Sequence, residues 1–227
     1  MTSNPKILIL ALLGGIIPSL FWLWFWLKED RKKPEPKELL TIIFIMGMIA
    51  VIFVLPIQKF IRAQVGSNGL ELLLWASAEE VMKFLAVVII LWGTKHIEEP
   101  IDWPIYMITA ALGFAALENT LFLIEPLSLQ QTTVGLLTGQ LRFLGSTLLH
   151  TVSSAMVGMA LGLSFHMESW HKKWYLLIGL LLAIALHSTF NFFIMKNNGN
   201  DFLQVFSFLW VVTIIIMLLF EKLRRMT

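Results

Sequence analysis

The sequence predicts an all-α, polytopic transmembrane helix bundle of about seven spans, on three observations. Of 227 residues 57% are hydrophobic, and mean hydropathy is +0.78. Apolar runs of about 20 residues recur along the chain, the length a helix needs to cross a bilayer. Nine Trp and eleven Met accompany them, whereas a β-barrel would show short alternating segments. The absence of cysteine excludes disulfides, thiolate metal ligands and a cysteine nucleophile, and leaves the redox compartment open.

The first span, 6–27, has no A-x-A-like cleavage site and runs straight into Lys28, which reads as a retained helix. Its "FWLWFWL" end reads as an aromatic belt at the cytoplasmic boundary. "KEDRKKPEPKE" is a short polar loop before the span at 39–61, and further apolar runs cover 70–93 and 103–124. The run 134–165 would measure ~48 Å as a helix against a ~30 Å hydrocarbon core. Part of it must tilt or project. With Arg142 read as a snorkelling residue at the interface, 143–165 still crosses. Spans at 174–195 and 202–220 complete a single bundle over 1–227, with chemistry-bearing residues within about 70–195.

Seven spans place the loops on two sides. One carries Lys28, Arg31, Lys32, Lys33, Lys37, Lys95, Lys172, Lys173, Lys222, Arg224 and Arg225, and the other only Lys6, Lys59, Arg62 and Lys196. The positive-inside rule then predicts a multi-pass protein of the cell membrane, with its N-terminus outside and its C-terminus cytoplasmic.

A charge at a helix centre costs at least ~2.5 kcal/mol on insertion scales, so each one needs a partner, a cavity or a function. Four spans carry polar groups of this kind: Glu79, Glu80 and Lys83; Glu118 and Asn119; His150; and His187 and Asn191. At ~1.5 Å per residue their depths agree, roughly 14 Å for Glu79, 9 Å for Glu118 and 12 Å each for His150 and His187. His150, Ser154, Gly158 and Gly162 share one face at i, i+4 steps, a small-residue stripe that turns His150 into the bundle. Glu125, Asp102 and Asp201 sit at span ends, where water is expected to reach them, and His96, His166 and His171 read as loop or interface histidines.

Glu79 with Lys83 alone would be explained as a buried ion pair. Glu80 breaks that explanation, because one lysine cannot neutralise two adjacent carboxylates about 100° apart on the helix. Glutamates and histidines at one depth have the components of hydrolysis, a carboxylate base and oxyanion donors. H-E-x-x-H, G-x-S-G and G-x-G-D are all absent, so zinc-helix, serine-rhomboid and aspartyl-dyad designs fit poorly. Two other classes use the same residues: a proton- or ion-coupled transporter, whose relay should reach both faces, and a non-catalytic scaffold or immunity protein.

E-E-x-x-K at Glu79, Glu80 and Lys83, F-x-x-x-E-N at Phe114, Glu118 and Asn119, His150, and H-x-x-x-N at His187 and Asn191 together resemble the PrsW family of intramembrane proteases. That family is related to the group of CAAX prenyl proteases and bacteriocin-immunity-type membrane proteins. The resemblance implies hydrolysis of a peptide bond in a single-pass, anti-sigma-factor-like membrane substrate or peptide. It also implies that Glu79, Glu80 and His187 are catalytic, with Asn191 one turn on and His150 beside them. The CAAX pattern has E-E-x-x-x-R and F-x-x-x-H, so His150 is the candidate for the imidazole that Glu118 replaces. Lys83, Asn119, Phe114 and Ser154 read as supporting residues.

Three ionised glutamates and one lysine leave the site at minus two, which protons or a divalent cation must offset. Two neutral histidines and a carboxylate make an ordinary catalytic zinc shell. His150, His187 and Glu118 are the ligands expected if Zn2+ is bound, and a metal-free glutamate mechanism stands beside that reading. Nucleic acid is not an expected partner. Oligomeric state is left open.

Overall fold

The computed structural model describes residues 4–28, 33–129, 131–196 and 202–226. Arg31, Lys32 and Asp201 lie outside them. Among the described residues the regular secondary structure is all helical: α1 Pro5–Leu27, α2 Lys37–Val65, α3 Gly69–Leu91, α4 Asp102–Ser128, α5 Thr132–Leu141, a π-helical segment Arg142–Ser146, α6 Thr147–Leu163, α7 Ser169–Lys196 and α8 Phe202–Arg224. These follow the seven apolar runs and extend several of them into polar flanks, where a helix needs no lipid.

Six helical spans among the described residues are long and apolar enough to cross a membrane. The remaining long helix, α3, has 23 residues and carries Glu71, Glu79, Glu80 and Lys83, so it is a span by length and an exception by charge. The protein is a multi-pass membrane protein. The spans in α4 and at Gly139–Leu163 are central, with 72% and 78% of an 18-residue apolar stretch buried in each against 22% for α1 and 28% for the span in α7. α4 packs on α1, α2 and α6, while α3 bridges α2 and α7.

The overlong fifth run resolves into α5, the π-helical segment and α6. The wider register shows at Thr147, whose N–H donates to the Arg142 carbonyl five residues back. The Trp22 indole N–H donates to the Phe143 carbonyl at 3.3 Å, tying α1 to this segment. Trp22 and Trp26 are therefore not a lipid-facing belt. Both are buried, packed against Phe143, Trp210 and Phe220. Of the three tryptophans in this stretch Trp24 keeps the belt character, exposed and covered by the Lys28 ammonium at 3.3 Å. Asp102 is also drier than its span-end position suggests: it is 3% exposed and accepts the backbone N–H groups of Glu98 and Glu99.

Two short features set the register near the polar layer. Gly66, at φ 71°, stops α2, and the Asn68 side chain caps α3 by accepting the Glu71 N–H at 3.1 Å, so α2 and α3 form a tight antiparallel hairpin. On α6 the small-residue stripe meets α4, where a Cβ on Gly158 would lie 2.4 Å from the Pro104 Cα. Gly158→Val is therefore expected to force α6 off α4 and to cost ~1–3 kcal/mol by overpacking. A thermal-unfolding midpoint in detergent, read beside the lipid-facing Ile52→Val, checks it; Ile52→Val should leave the midpoint unchanged.

Candidate functional site

Between α3, α4, α6 and α7 the structure brings together Glu79, Glu80, Lys83, Glu118, Asn119, His150, Ser154 and His187. Glu80 is the best satisfied. It is 0% exposed, and its Oε1 accepts from Lys83 Nζ at 2.8 Å, Ser153 Oγ at 2.9 Å and His187 Nδ1 at 2.8 Å. Its Oε2 accepts from Ser154 Oγ at 2.7 Å. The closer partner of Lys83 is thus Glu80, three residues away, with Glu79 Oε2 at 4.0 Å. Burial demands this many donors, since an unanswered carboxylate in low dielectric costs several kcal/mol.

Glu79 is arranged differently. Its Oε1 accepts from Gln58 Nε2 at 2.8 Å. Its Oε2 is buried without a hydrogen-bond partner and faces His187 Nε2 at 3.5 Å and His150 Nδ1 at 3.9 Å. A carboxylate only accepts, so the His187 Nδ1 that meets Glu80 must carry the ring proton, and a neutral ring then presents its Nε2 lone pair to Glu79. Two acceptor atoms face each other at 3.5 Å. A proton or a cation between them satisfies both.

His150 is fixed on both sides. Lys83 Nζ donates to its Nδ1 at 2.8 Å, which leaves Nε2 as the protonated nitrogen, donating to Glu118 Oε2 at 3.0 Å. The two imidazoles stand edge to face with centroids 4.9 Å apart. Phe114 lies beneath, 5.4 Å from the His150 ring centroid and 4.6 Å from Lys83 Nζ, a cation–π contact that holds the ammonium at this depth.

Arg142 departs from expectation. It does not snorkel outward: it pairs with Glu118, donates from Nε to Asn119 Oδ1 at 2.5 Å and lies over the Phe122 ring at 3.9 Å. The π-helical turn that begins at Arg142 is the local cause, because the wider register alters the direction of side chains along it. Asn119 completes this wall by donating to Thr147 Oγ1 at 2.8 Å. Asn191 sits one turn from His187 and is half-buried.

The donor set for a metal shifts accordingly. Arg142 and His150 occupy Glu118, while Glu79, His150 and His187 place one ligand atom each within 4.8 Å of one another, all buried. These residues fit a divalent ion: Glu79 Oε2 and His187 Nε2 are open, and His187 is oriented from behind by a carboxylate, the usual outer support of a metal-binding histidine. The third nitrogen, His150 Nδ1, is occupied by Lys83 Nζ at 2.8 Å. With Arg142 included, three glutamates and two cations leave minus one where the sequence alone suggested minus two. Three residues escaped the sequence reading. Ser153 reads as a helix filler beside Ser154, and Arg142 reads as an interface residue. Gln58 carries no charge to flag it; its only sequence signal is a polar pair with Arg62 one turn on.

The family model described as PrsW family intramembrane metalloprotease matches residues 35–220. Curated relatives named "Protease PrsW" include one from Shouchella clausii, 25% identical over 95% of this chain and 97% of its own length. One from Bacillus subtilis is 26% identical over 87% and 89%, and one from Geobacillus kaustophilus is 26% identical over 80% and 78%. No solved structure matches.

Lys83→Met should strip the cation from buried Glu80 and destabilise the protein by ~3–5 kcal/mol. A thermal midpoint that falls by several degrees checks this; an unchanged one contradicts the pairing.

Proposed function

We propose a catalytic arrangement for this chain, which belongs to the PrsW family of intramembrane metalloproteases. The chain is an intramembrane protease, which removes the transporter and scaffold classes as descriptions of it. In this reading the whole chain is one bundle with residues 70–195 as its catalytic core. Glu79 is the general base and Glu80 the orienting group for His187. The observation that carries the division is the Glu79 Oε2 atom, buried and unpartnered at 3.5 Å from His187 Nε2.

Water in that gap gives a proton to Glu79 Oε2 while its oxygen attacks the scissile carbonyl, and Glu79 then passes the proton to the departing amine. Lys83, 4.0 Å from Glu79 Oε2, supplies positive charge near the developing oxyanion, and Phe114 keeps it there. Glu80 fixes the His187 tautomer so that Nε2 faces the reaction side. In the metal-dependent alternative Glu79, His150 and His187 would hold a divalent ion, Zn2+ being the natural candidate for two imidazoles and a carboxylate, and Glu79 would then be a ligand instead of the base. When bound, such an ion polarises the carbonyl and makes the attacking water more acidic. In this reading Asn119 holds the Arg142–Thr147 wall, and Asn191, one turn from His187, supplies an amide donor to the substrate.

The substrate in this proposal is a single-pass membrane protein of the anti-sigma-factor kind. With the N-terminus outside and the C-terminus cytoplasmic, the site lies in the outer half of the bilayer. Two properties support access from one side: the Glu118 and Arg142 side chains are 18% and 16% exposed against 5% for Glu79, and both belong to the α4–π wall.

Reconstituted protein with a single-pass substrate is expected to give one principal cut near the extracytoplasmic boundary, mapped by mass spectrometry; a cut at the cytoplasmic boundary contradicts the orientation. Elemental analysis of purified protein should find roughly stoichiometric zinc or another divalent ion, lowered by an order of magnitude or more in His187→Ala, the scale expected for loss of a ligand. A fully active, metal-free preparation sinks the metal reading and leaves the glutamate mechanism.

A further inference from the structure

Gln58 lies on the other side of Glu79 from the histidines, and its surroundings form a series. α2 and α3 run antiparallel from the Gly66–Asn68 turn. Gln58 and Arg62 are one turn apart on α2, and Glu71, Trp75 and Glu79 occupy successive turns on the facing side of α3. Each turn of the hairpin carries a polar contact. Arg62 Nε donates to Glu71 Oε1 at 2.6 Å. The Arg62 guanidinium lies 4.9 Å over the Trp75 ring. The Trp75 indole N–H donates to the Gln58 main-chain oxygen at 3.1 Å, and the Gln58 side chain donates to Glu79 Oε1 at 2.8 Å.

We propose that Gln58 is the positioning residue for Glu79, held in register by the Arg62–Glu71–Trp75 ladder along the α2–α3 hairpin. This rests on the reading of Glu79 as the group that acts on water.

The physical argument concerns which carboxylate oxygen is free. A glutamate has three rotatable bonds, and either oxygen can turn to the reaction side. Gln58 occupies Oε1, so Oε2 is the atom left facing His187 and His150. The amide must present its NH2, because an ionised carboxylate offers no donor to an amide oxygen. Gln58 is itself constrained twice, by its own helix and by the Trp75 bond to its carbonyl. The same residue thus ties α2 to α3 through its main chain and orients Glu79 through its side chain. Arg62, 55% exposed while Glu71 is 1% exposed, anchors the series at the polar end of the hairpin. The ladder therefore spans from solvent to the buried carboxylate, across the two helices whose turn fixes their register.

Gln58→Met keeps reach and donates nothing. In the full-length reconstituted protein it is expected to lower kcat by ~10- to 100-fold, the scale for removing an outer partner of a site residue, with KM within roughly twofold. Gln58→Asn, whose amide falls one methylene short, should do the same and serves where Met disturbs folding, judged by the thermal midpoint. In a Glu79→Asp background, where the carboxylate has already lost Gln58, the further change Gln58→Met should add little; a residue acting only through packing would cost the same in both backgrounds. Equal costs in the two backgrounds, or full kcat in Gln58→Met beside an inactive Glu79→Gln, overturn the inference alone. Full activity in Glu79→Gln overturns the reading it rests on.

Discussion

A carboxylate with no access to water must have its charge and lone pairs answered by the protein, and Glu80 is the group that imposes this on the bundle. Its four donors come from three helices: Lys83 from α3, Ser153 and Ser154 from α6, and His187 from α7. Removing Ser154 leaves Oε2 without a donor, and removing Lys83 leaves the buried charge without its nearest cation, losses costlier in lipid than at a surface. Glu80 thereby fixes where α3, α6 and α7 meet. It also sets the chemistry next door, since the ring nitrogen it takes from His187 decides which nitrogen faces Glu79.

The adjacent glutamates are consequently unlike. One is saturated with donors and suited to holding a structure. The other has one oxygen held by Gln58 and one left bare against two imidazoles. An unpaired buried oxygen is a cost that folding alone does not justify, and in the proposed mechanism it is the atom that takes the proton from water. Arg142 and Lys83 bring the local charge to minus one with three ionised glutamates, a balance that a bound dication or a proton reverses or cancels.

Much of this was legible from the sequence because charge in lipid is conspicuous. Glu79, Glu118 and His187 could be placed at similar depths from a helical rise, His150 only by taking Arg142 as the interface, and the Ser154, Gly158 stripe indicated how α6 would turn inward. The overlong fifth run required part of it to tilt or project, and the structure places a π-helical segment there, at Arg142–Ser146. What escaped was direction. Nothing in the sequence distinguishes a snorkelling Arg142 from one that a π-helical turn brings to Glu118, and that difference moves the candidate metal set from Glu118 to Glu79. Gln58 and Ser153 are uncharged, so no insertion penalty singles them out, and Trp22 and Trp26 look like belt residues until α8 is packed on them.

The central claim is that two neighbouring glutamates divide structure from chemistry, and one paired measurement addresses it: thermal midpoint and substrate cleavage for Glu79→Gln beside Glu80→Gln. Glu79→Gln should unfold within a few degrees of the parent and cleave nothing detectable, because its lost charge had no hydrogen bond on Oε2. Glu80→Gln should lose ~3–5 kcal/mol of stability, because buried Lys83 is left without its counter-ion. A Glu79→Gln protein that cleaves normally, or a Glu80→Gln protein with an unchanged midpoint, would contradict the division.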